Sequence, residues 1–289
     1  MVAMAVTPAI LLLSSLPSPP HPVLFKAGPL ALSYYGLFIA LGIVVAAWLT
    51  GQELARKGYD GGYALAVEAL LFVVPLGLLG SRASYVVANY DLYASNPIPA
   101  VLEVWNGGLE IFGGLVGGFA GLLIFARLRG IGALAFADAA APGVVLGQAI
   151  GRWGDYFNQE LFGAPSDLPW AIHIAPENRP SEFADATSFH PAFLYESIWD
   201  VLVCLLLLWL ARRFGGRFKD GTIFVLYAVL FTAGHLAVDA LRLEAASLPI
   251  VELLRGNLLL LLLLGGVLVL GSALILLLRH ARAPRKLLE

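Results

Sequence analysis

Seven stretches of about twenty apolar residues recur along the chain, at 31–50, 63–88, 109–127, 131–152, 193–212, 221–242 and 257–278. A helix of roughly that length crosses a hydrocarbon core of about 30 Å. In lipid every backbone amide must find its partner within the chain, so runs of this length are compatible with helices and little else. The composition agrees: of 289 residues, 59% are hydrophobic and only 13% charged, against about 25% charged in a soluble domain. The expectation is an all-α polytopic membrane protein with seven transmembrane helices. A net charge of −2 leaves no basic field for nucleic acid. The single cysteine, Cys204, has no internal partner and reads as a small buried hydrophobe.

Positive charge orients the spans. Arg56 and Lys57 follow the first, Arg127 and Arg129 the third, and Arg212, Arg213, Arg217 and Lys219 the fifth. Arg279, Arg282, Arg285 and Lys286 fill the tail. These fall on one side of the alternation, which the positive-inside rule makes cytoplasmic. The N-terminus is then outside and the C-terminus inside. Residues 1–30 read as an extension: no Lys or Arg precedes the short apolar run Ala9–Leu13, so a signal peptide is not indicated. Residues 31–278 form the membrane domain and 279–289 a basic cytoplasmic tail. Between spans four and five, residues 153–192 are polar and Pro-containing, long enough for an extracytoplasmic insert. No internal repeat suggests the inverted architecture of many transporters.

Small residues predict close helix packing. Gly113, Gly117 and Gly121 recur every four residues in span three, and Gly143, Gly147 and Gly151 do so in span four. Arg82, Arg152 and Arg242 stand at or just inside the outer ends of spans two, four and six. Charge in a membrane helix is costly, and guanidinium grips phosphate through paired hydrogen bonds. The three are candidate anion-binding groups. Each has the alternative of snorkelling to the interface as an anchor. Glu68 and Asp138 read as partners for polar groups on neighbouring helices. His235 and Asp239, four apart, share a helix face.

Four polar clusters fall on the same outer side. One runs Gly151-Arg152-Trp153-Gly154-Asp155-Tyr156-Phe157-Asn158-Gln159-Glu160-Leu161-Phe162-Gly163, and its two glycines around Arg152 and Trp153 suggest a helix end. A second is His190-Pro191-Ala192-Phe193-Leu194-Tyr195-Glu196, with Pro191 suited to open a helix. Tyr34-Tyr35-Gly36 begins span one, and Trp105 to Leu115 leads into span three.

These clusters resemble the bacterial prolipoprotein diacylglyceryl transferase family. Gly151 to Gly163 is similar to its signature GRxGNFxNxExxG, and His190 to Glu196 to its HPxxLYE motif. Tyr34-Tyr35-Gly36 resembles its WYG, and Gly80-Ser81-Arg82 with Tyr85 its second-helix arginine stretch. Asp239-Ala240-Leu241-Arg242 resembles the sixth-span segment that supplies a second essential arginine. The resemblance runs in order from about residue 21 to 260. It implies transfer of the diacylglyceryl group of phosphatidylglycerol to the lipobox cysteine of a preprolipoprotein, forming a thioether and releasing glycerol phosphate. It implies no metal or organic cofactor, and a multi-pass protein of the bacterial inner membrane with its site toward the extracytoplasmic leaflet. Arg152, Arg242 and Glu160 are the expected catalytic residues. Tyr35, Arg82, Asp155, Asn158, Gly163, His190 and Tyr195 are the expected substrate-binding ones.

Two positions depart from the family pattern. Asp155 replaces a common Asn, and Phe112 stands where many members carry a His in GGxxxHGGL. Phe112 cannot shuttle a proton. Thiolate would then come from the arginine field, a carboxylate such as Glu160 or Glu110, or His190. The rival readings are a catalytically inactive lipid-binding homologue and a lipid or anion transporter. A transporter calls for charged residues along the cytoplasmic halves of the spans, whereas the clusters here gather on one side.

Overall fold

The computed structural model describes residues 16–19, 21–27, 30–93, 108 and 110–242. The expected seventh span, the basic tail and Trp105–Gly107 lie outside the described residues, as does the side chain of Phe112. The described chain is helical with two small strand pairs. Strands β1 (Val23–Ala27) and β2 (Leu30–Ser33) form an antiparallel hairpin that runs into helix α1 (Tyr34–Arg56). Then come α2 (Gly62–Ala88), the short α3 (Tyr90–Tyr93), α4 (Ile111–Arg129) and α5 (Ala133–Asn158). A connecting segment carries β3 (Ile172–His173) and β4 (Ser188–Phe189). Helices α6 (Ala192–Phe214) and α7 (Thr222–Asp239) complete the described order.

Among the described residues five helices are long and apolar enough to cross a membrane: α1, α2, α5, α6 with the turn that follows it, and α7. Helix α4 occupies the third expected span. Their outward faces are apolar, with Leu71, Val87 and Val116 more than 70% exposed, as lipid-facing side chains are. Two expected boundaries near the polar clusters shift. Helix α5 does not end at its flanking glycines but runs to Asn158, so Arg152 to Asn158 are helical. Gly154 is there for packing: a Cβ on it would sit 2.5 Å from the Tyr35 ring. The helix stops where Gln159 and Leu161 adopt φ of 53° and 54°, a left-handed backbone that cannot continue a right-handed helix. The connection to α6 therefore begins at Gln159. Helix α7 ends at Asp239, leaving Arg242 just beyond it.

The described residues divide into two compact units. The first holds residues 16–46, 144–218 and 225–242. In it α1 and α5 touch backbone to backbone at Gly42 and Gly147, where a Cβ on Gly42 would lie 2.6 Å from the Gly147 carbonyl oxygen. The connecting segment packs Ile172, Ile174 and Phe189 against Phe193 of α6 in one apolar cluster.

The second unit holds residues 47–143 and 219–224. Gly80, Gly113, Gly117 and Gly121 line the crossing of α2 and α4, and a Cβ on Gly113 would stand 2.1 Å from the Gly80 carbonyl oxygen. This is the close approach that the small-residue spacing anticipates. The Ser81 hydroxyl donates to the Glu110 carbonyl at 2.7 Å, and the Glu110 amide to the Ser81 carbonyl at 3.1 Å. Asp138 accepts from the backbone amides of Gly221 (2.9 Å) and Phe224 (2.8 Å), capping the start of α7. The polar partner expected for Asp138 on a neighbouring span is thus a helix N-terminus.

Candidate active site

The first unit contains an ionic network centred on the buried Glu196, with Arg152, His235 and Asp239 partly exposed. Glu196 lies in the second turn of α6 and is fully buried. Its Oε1 meets Arg152 Nη2 of α5 at 2.5 Å and His235 Nδ1 of α7 at 2.6 Å. Its Oε2 meets Arg242 Nη2 at 2.5 Å. Two more carboxylates complete the arrangement. Arg152 Nη1 donates to Asp155 Oδ2 at 3.2 Å, and Arg242 Nη1 to Asp239 Oδ1 at 2.6 Å. His235 Nε2 lies 3.3 Å from Asp239 Oδ2. Asp200, one turn along α6 from Glu196, is fully buried, and neither of its carboxylate oxygens has a hydrogen-bond partner among the described residues.

Helical periodicity builds this network. Arg152 and Asp155 are three apart on α5, Glu196 and Asp200 four apart on α6, and His235 and Asp239 four apart on α7, so each pair shares a face. Close packing brings the faces together. Gly234 lets α7 approach α6, since a Cβ there would fall 2.0 Å from Trp199 Nε1. The Trp199 indole donates to the Leu230 carbonyl at 3.0 Å. The Ser197 hydroxyl donates to the Ala149 carbonyl at 2.9 Å and ties α6 to α5.

Gly163 fixes Arg242. The two pair in an isolated antiparallel bridge. The Gly163 amide donates to the His190 carbonyl at 2.9 Å, and the next amide, of Ala164, to the Leu241 carbonyl at 3.1 Å. A Cβ on Gly163 would come within 2.7 Å of the His190 Cβ. Expected from its motif as a substrate contact, Gly163 is structurally a backbone crossing where only hydrogen fits.

His190 and Tyr195 form a second cluster in the same unit. His190 Nδ1 lies 3.1 Å from the Tyr195 hydroxyl, which also accepts from Trp170 Nε1 at 3.0 Å. Asn158 ends α5 and donates to the exposed Glu160 at 2.9 Å. Glu160 stands within electrostatic reach of Asp155 and Tyr35. Tyr35 lies against Gly154, and the neighbouring Tyr34 stacks on Phe157 with ring centroids 4.2 Å apart. Arg82 belongs to the second unit. It is buried in α2, donates to the Gly108 carbonyl at 3.0 Å, and packs on the rings of Tyr85 and Tyr93.

Sequence reasoning picked out both arginines of the network but not its centre. Glu196 stood inside a quoted motif without a role, and Asp200 was not singled out. The signal was available: Glu196 and Asp200 four apart in one apolar span, and His235, Asp239 and Arg242 at successive turns of another, are polar faces too costly to bury unless they meet.

The model of the prolipoprotein diacylglyceryl transferase family matches residues 22–277. The chain belongs to this family. Among its relatives is a phosphatidylglycerol–prolipoprotein diacylglyceryl transferase of Frankia alni, 42% identical over 81% of this chain and 61% of the relative. Proteins of the same name in Streptomyces coelicolor and Parasynechococcus marenigrum are each 42% identical. They cover 81% and 78% of this chain, and 73% and 81% of their own lengths. The chain thus spans less than two thirds of the Frankia protein and most of the other two. Every described member of the ionic network falls within the stretch matched to the transferase family, and the apolar helices that carry it make this a multi-pass membrane protein.

Proposed function

We propose that this chain transfers the diacylglyceryl group of phosphatidylglycerol to the lipobox cysteine of a preprolipoprotein. The observation that carries the proposal is the pair of guanidinium groups, Arg152 and Arg242, delivered from different helices onto one buried carboxylate. The thiolate attacks the glycerol carbon that bears the phosphate ester. A carbon–sulfur bond forms, the carbon–oxygen bond breaks, and glycerol phosphate leaves with one more negative charge than the diester carried. Cations already ordered beside the departing phosphate stabilise that charge without reorganising. Glu196 supplies the order, since two long side chains on one carboxylate lose little freedom when the anion arrives. Because the network also carries Asp155 and Asp239, no excess of positive charge is stored in the apolar interior.

Glu160 is the proposed acceptor of the thiol proton, helped by the arginine field, which favours thiolate. His190 and Tyr195 are proposed to border the peptide, Tyr35 and Asn158 to flank the reacting groups, and Arg82 to hold lipid headgroup. We further propose seven spans with the N-terminus outside, the site toward the outer leaflet, and residence in the bacterial inner membrane. A second copy of one substrate is not required: each turnover consumes one lipid and one peptide thiol.

The test is direct. The purified protein, in vesicles containing phosphatidylglycerol, is given a lipobox peptide, and the product is weighed by mass spectrometry. The peptide should gain one diacylglyceryl mass, and a Cys-to-Ser peptide should gain none. Lipid binding without a mass gain would favour the inactive lipid-binding homologue. Net movement of anion or lipid across the vesicle without any thioether would favour the transporter.

A further inference from the structure

Residues 16–19 fall in the expected N-terminal extension, yet they are built into the fold beside the turn that carries Glu160. Leu16 pairs in parallel with Ile172. Its amide donates to the Ala171 carbonyl at 3.1 Å, and the His173 amide donates to the Leu16 carbonyl at 3.0 Å. The Ser18 hydroxyl donates to the His173 carbonyl at 2.7 Å. Residues 16–19 thus lie along the edge of β3 that β4 leaves open. The Leu16 side chain packs on the cluster of Ile172, Ile174, Phe189 and Phe193, as Tyr156 and Phe162 do.

The end of α5 is fastened to this segment twice. The Tyr156 hydroxyl donates to the Pro17 carbonyl at 2.7 Å, and Gln159 Nε2 donates to the Pro19 carbonyl at 3.3 Å. Gln159 also reaches the other way, for its Oε1 accepts from the Ala175 amide at 2.7 Å. A carboxamide has an accepting end and a donating end, and here each end meets its complement on a different piece of chain. A backbone amide can only donate and a carbonyl only accept, so the side chain fits in one orientation.

The backbone gives this side chain a task. Gln159 and Leu161 have φ of 53° and 54°, a region that glycine enters freely and larger residues do not. A residue held there needs surroundings that fix it. After Leu161 the chain is fixed by Phe162 in the apolar cluster and by the Gly163 amide on the His190 carbonyl. Before it, the two hydrogen bonds of the Gln159 side chain do the fixing. Glu160 stands between these anchors. It is exposed, its amide donates to the Asp155 carbonyl at 3.1 Å, and its Oε1 accepts from Asn158 at 2.9 Å. An exposed side chain has little packing to direct it, so its place follows from the backbone that carries it.

Resting on the reading of Glu160 as acceptor of the thiol proton, we infer that Gln159 is a positioning residue for the transfer. It clamps the turn between residues 16–19 and the insert, and so sets where that carboxylate stands. Residues 16–19 are then part of the site's scaffold.

The experiment compares full-length wild type, Gln159→Gly, Glu160→Gln and the double variant in phosphatidylglycerol vesicles with a lipobox peptide. Glycine deletes both hydrogen bonds yet suits the left-handed backbone, so a side chain without this task would be lost at no cost. In Gln159→Gly the kcat of thioether formation should fall about tenfold or more, since misplacing a reacting group by about 1 Å can cost a hundredfold. KM for the peptide should change little. In the Glu160→Gln background the same substitution should cost less than about twofold, because residues that act through one another are not additive. Amide exchange at Ala175 and at His173, which reports the pairing of Leu16, should quicken several-fold in Gln159→Gly. A Gln159→Gly protein with the wild-type kcat overturns the inference. So does an equal loss in both backgrounds, which would put the effect elsewhere than on Glu160, and so does unchanged exchange at both amides. If wild type forms no thioether at all, the transferase reading fails instead. Exchange alone then decides whether Gln159 clamps the turn, faster exchange upholding the clamp and unchanged exchange refuting it.

Discussion

Glu196 meets Arg152, Arg242 and His235 at once, so its replacement acts on all three contacts. Glu196→Gln leaves Arg152 and Arg242 without their shared counter-charge, and breaking a buried ion pair from one side costs about 3–5 kcal/mol. Transfer should fall at least a hundredfold and the melting temperature should drop, which thermal unfolding in detergent would measure. Asp155→Asn differs in kind. The amide oxygen still accepts from Arg152 Nη1, now at 3.2 Å from Asp155 Oδ2, and Asn is the residue common in the family. Its transfer rate should stay within a few-fold of wild type, and a hundredfold loss would show that the second charge on Arg152 is needed. Glu160→Gln should depress transfer most at low pH, where thiolate is scarcest and a proton acceptor matters most. A Glu160→Gln profile that overlays wild type would point to the arginine field alone. Arginine at these positions was legible from the cost of charge in apolar spans. The central carboxylate showed only as a pair with Asp200, four residues on in the same apolar span, and its part as the hub depends on which helix faces that pair.

Helix packing fixes how these groups meet. Gly234 admits the Trp199 ring against α7 one residue before His235. Gly234→Val would force α6 and α7 apart, and overpacking of a close contact costs roughly 1–3 kcal/mol. Transfer should fall although no charged group is touched, and thermal stability should fall with it. If only stability falls, the spacing of α6 and α7 does not set the site. At the other end of α7, Asp138→Ala removes acceptors from the Gly221 and Phe224 amides. A lost N-cap costs about 0.5–2 kcal/mol, so melting temperature should drop while the transfer rate of folded protein changes little. The glycine spacing in α4 announced a close helix crossing, since small residues every four positions form one smooth stripe, but not that α2 is the partner. The true end of α5 was hidden. Gly151 and Gly154 looked like terminators, but in this helix glycine serves close approach, and the stop comes from non-glycine residues with positive φ at Gln159 and Leu161. No residue-type rule flags those two.

For the molecule as a whole, hydropathy was the most legible property. The spans expected at 31–50, 63–88, 109–127, 131–152, 193–212 and 221–242 each correspond to a helix among the described residues. What pattern could not supply was which polar faces meet, because that depends on helix rotation and crossing rather than on any segment alone. The proposed orientation makes a separate prediction. A reporter that is active only outside the cytoplasm should work when fused within residues 159–191 and fail when fused after Arg129 or Arg217. The opposite pattern would invert the assignment drawn from the basic connections. In the proposed mechanism, forked guanidinium groups at positions 152 and 242 stabilise the departing phosphate. The decisive measurement is the initial rate of thioether formation in Arg152→Lys, using protein whose melting temperature and phosphatidylglycerol affinity lie near those of wild type. Lysine keeps the charge but loses the paired hydrogen bonds. The rate should be lower by about a hundredfold or more, and a rate within a few-fold of wild type would contradict the role of the fork.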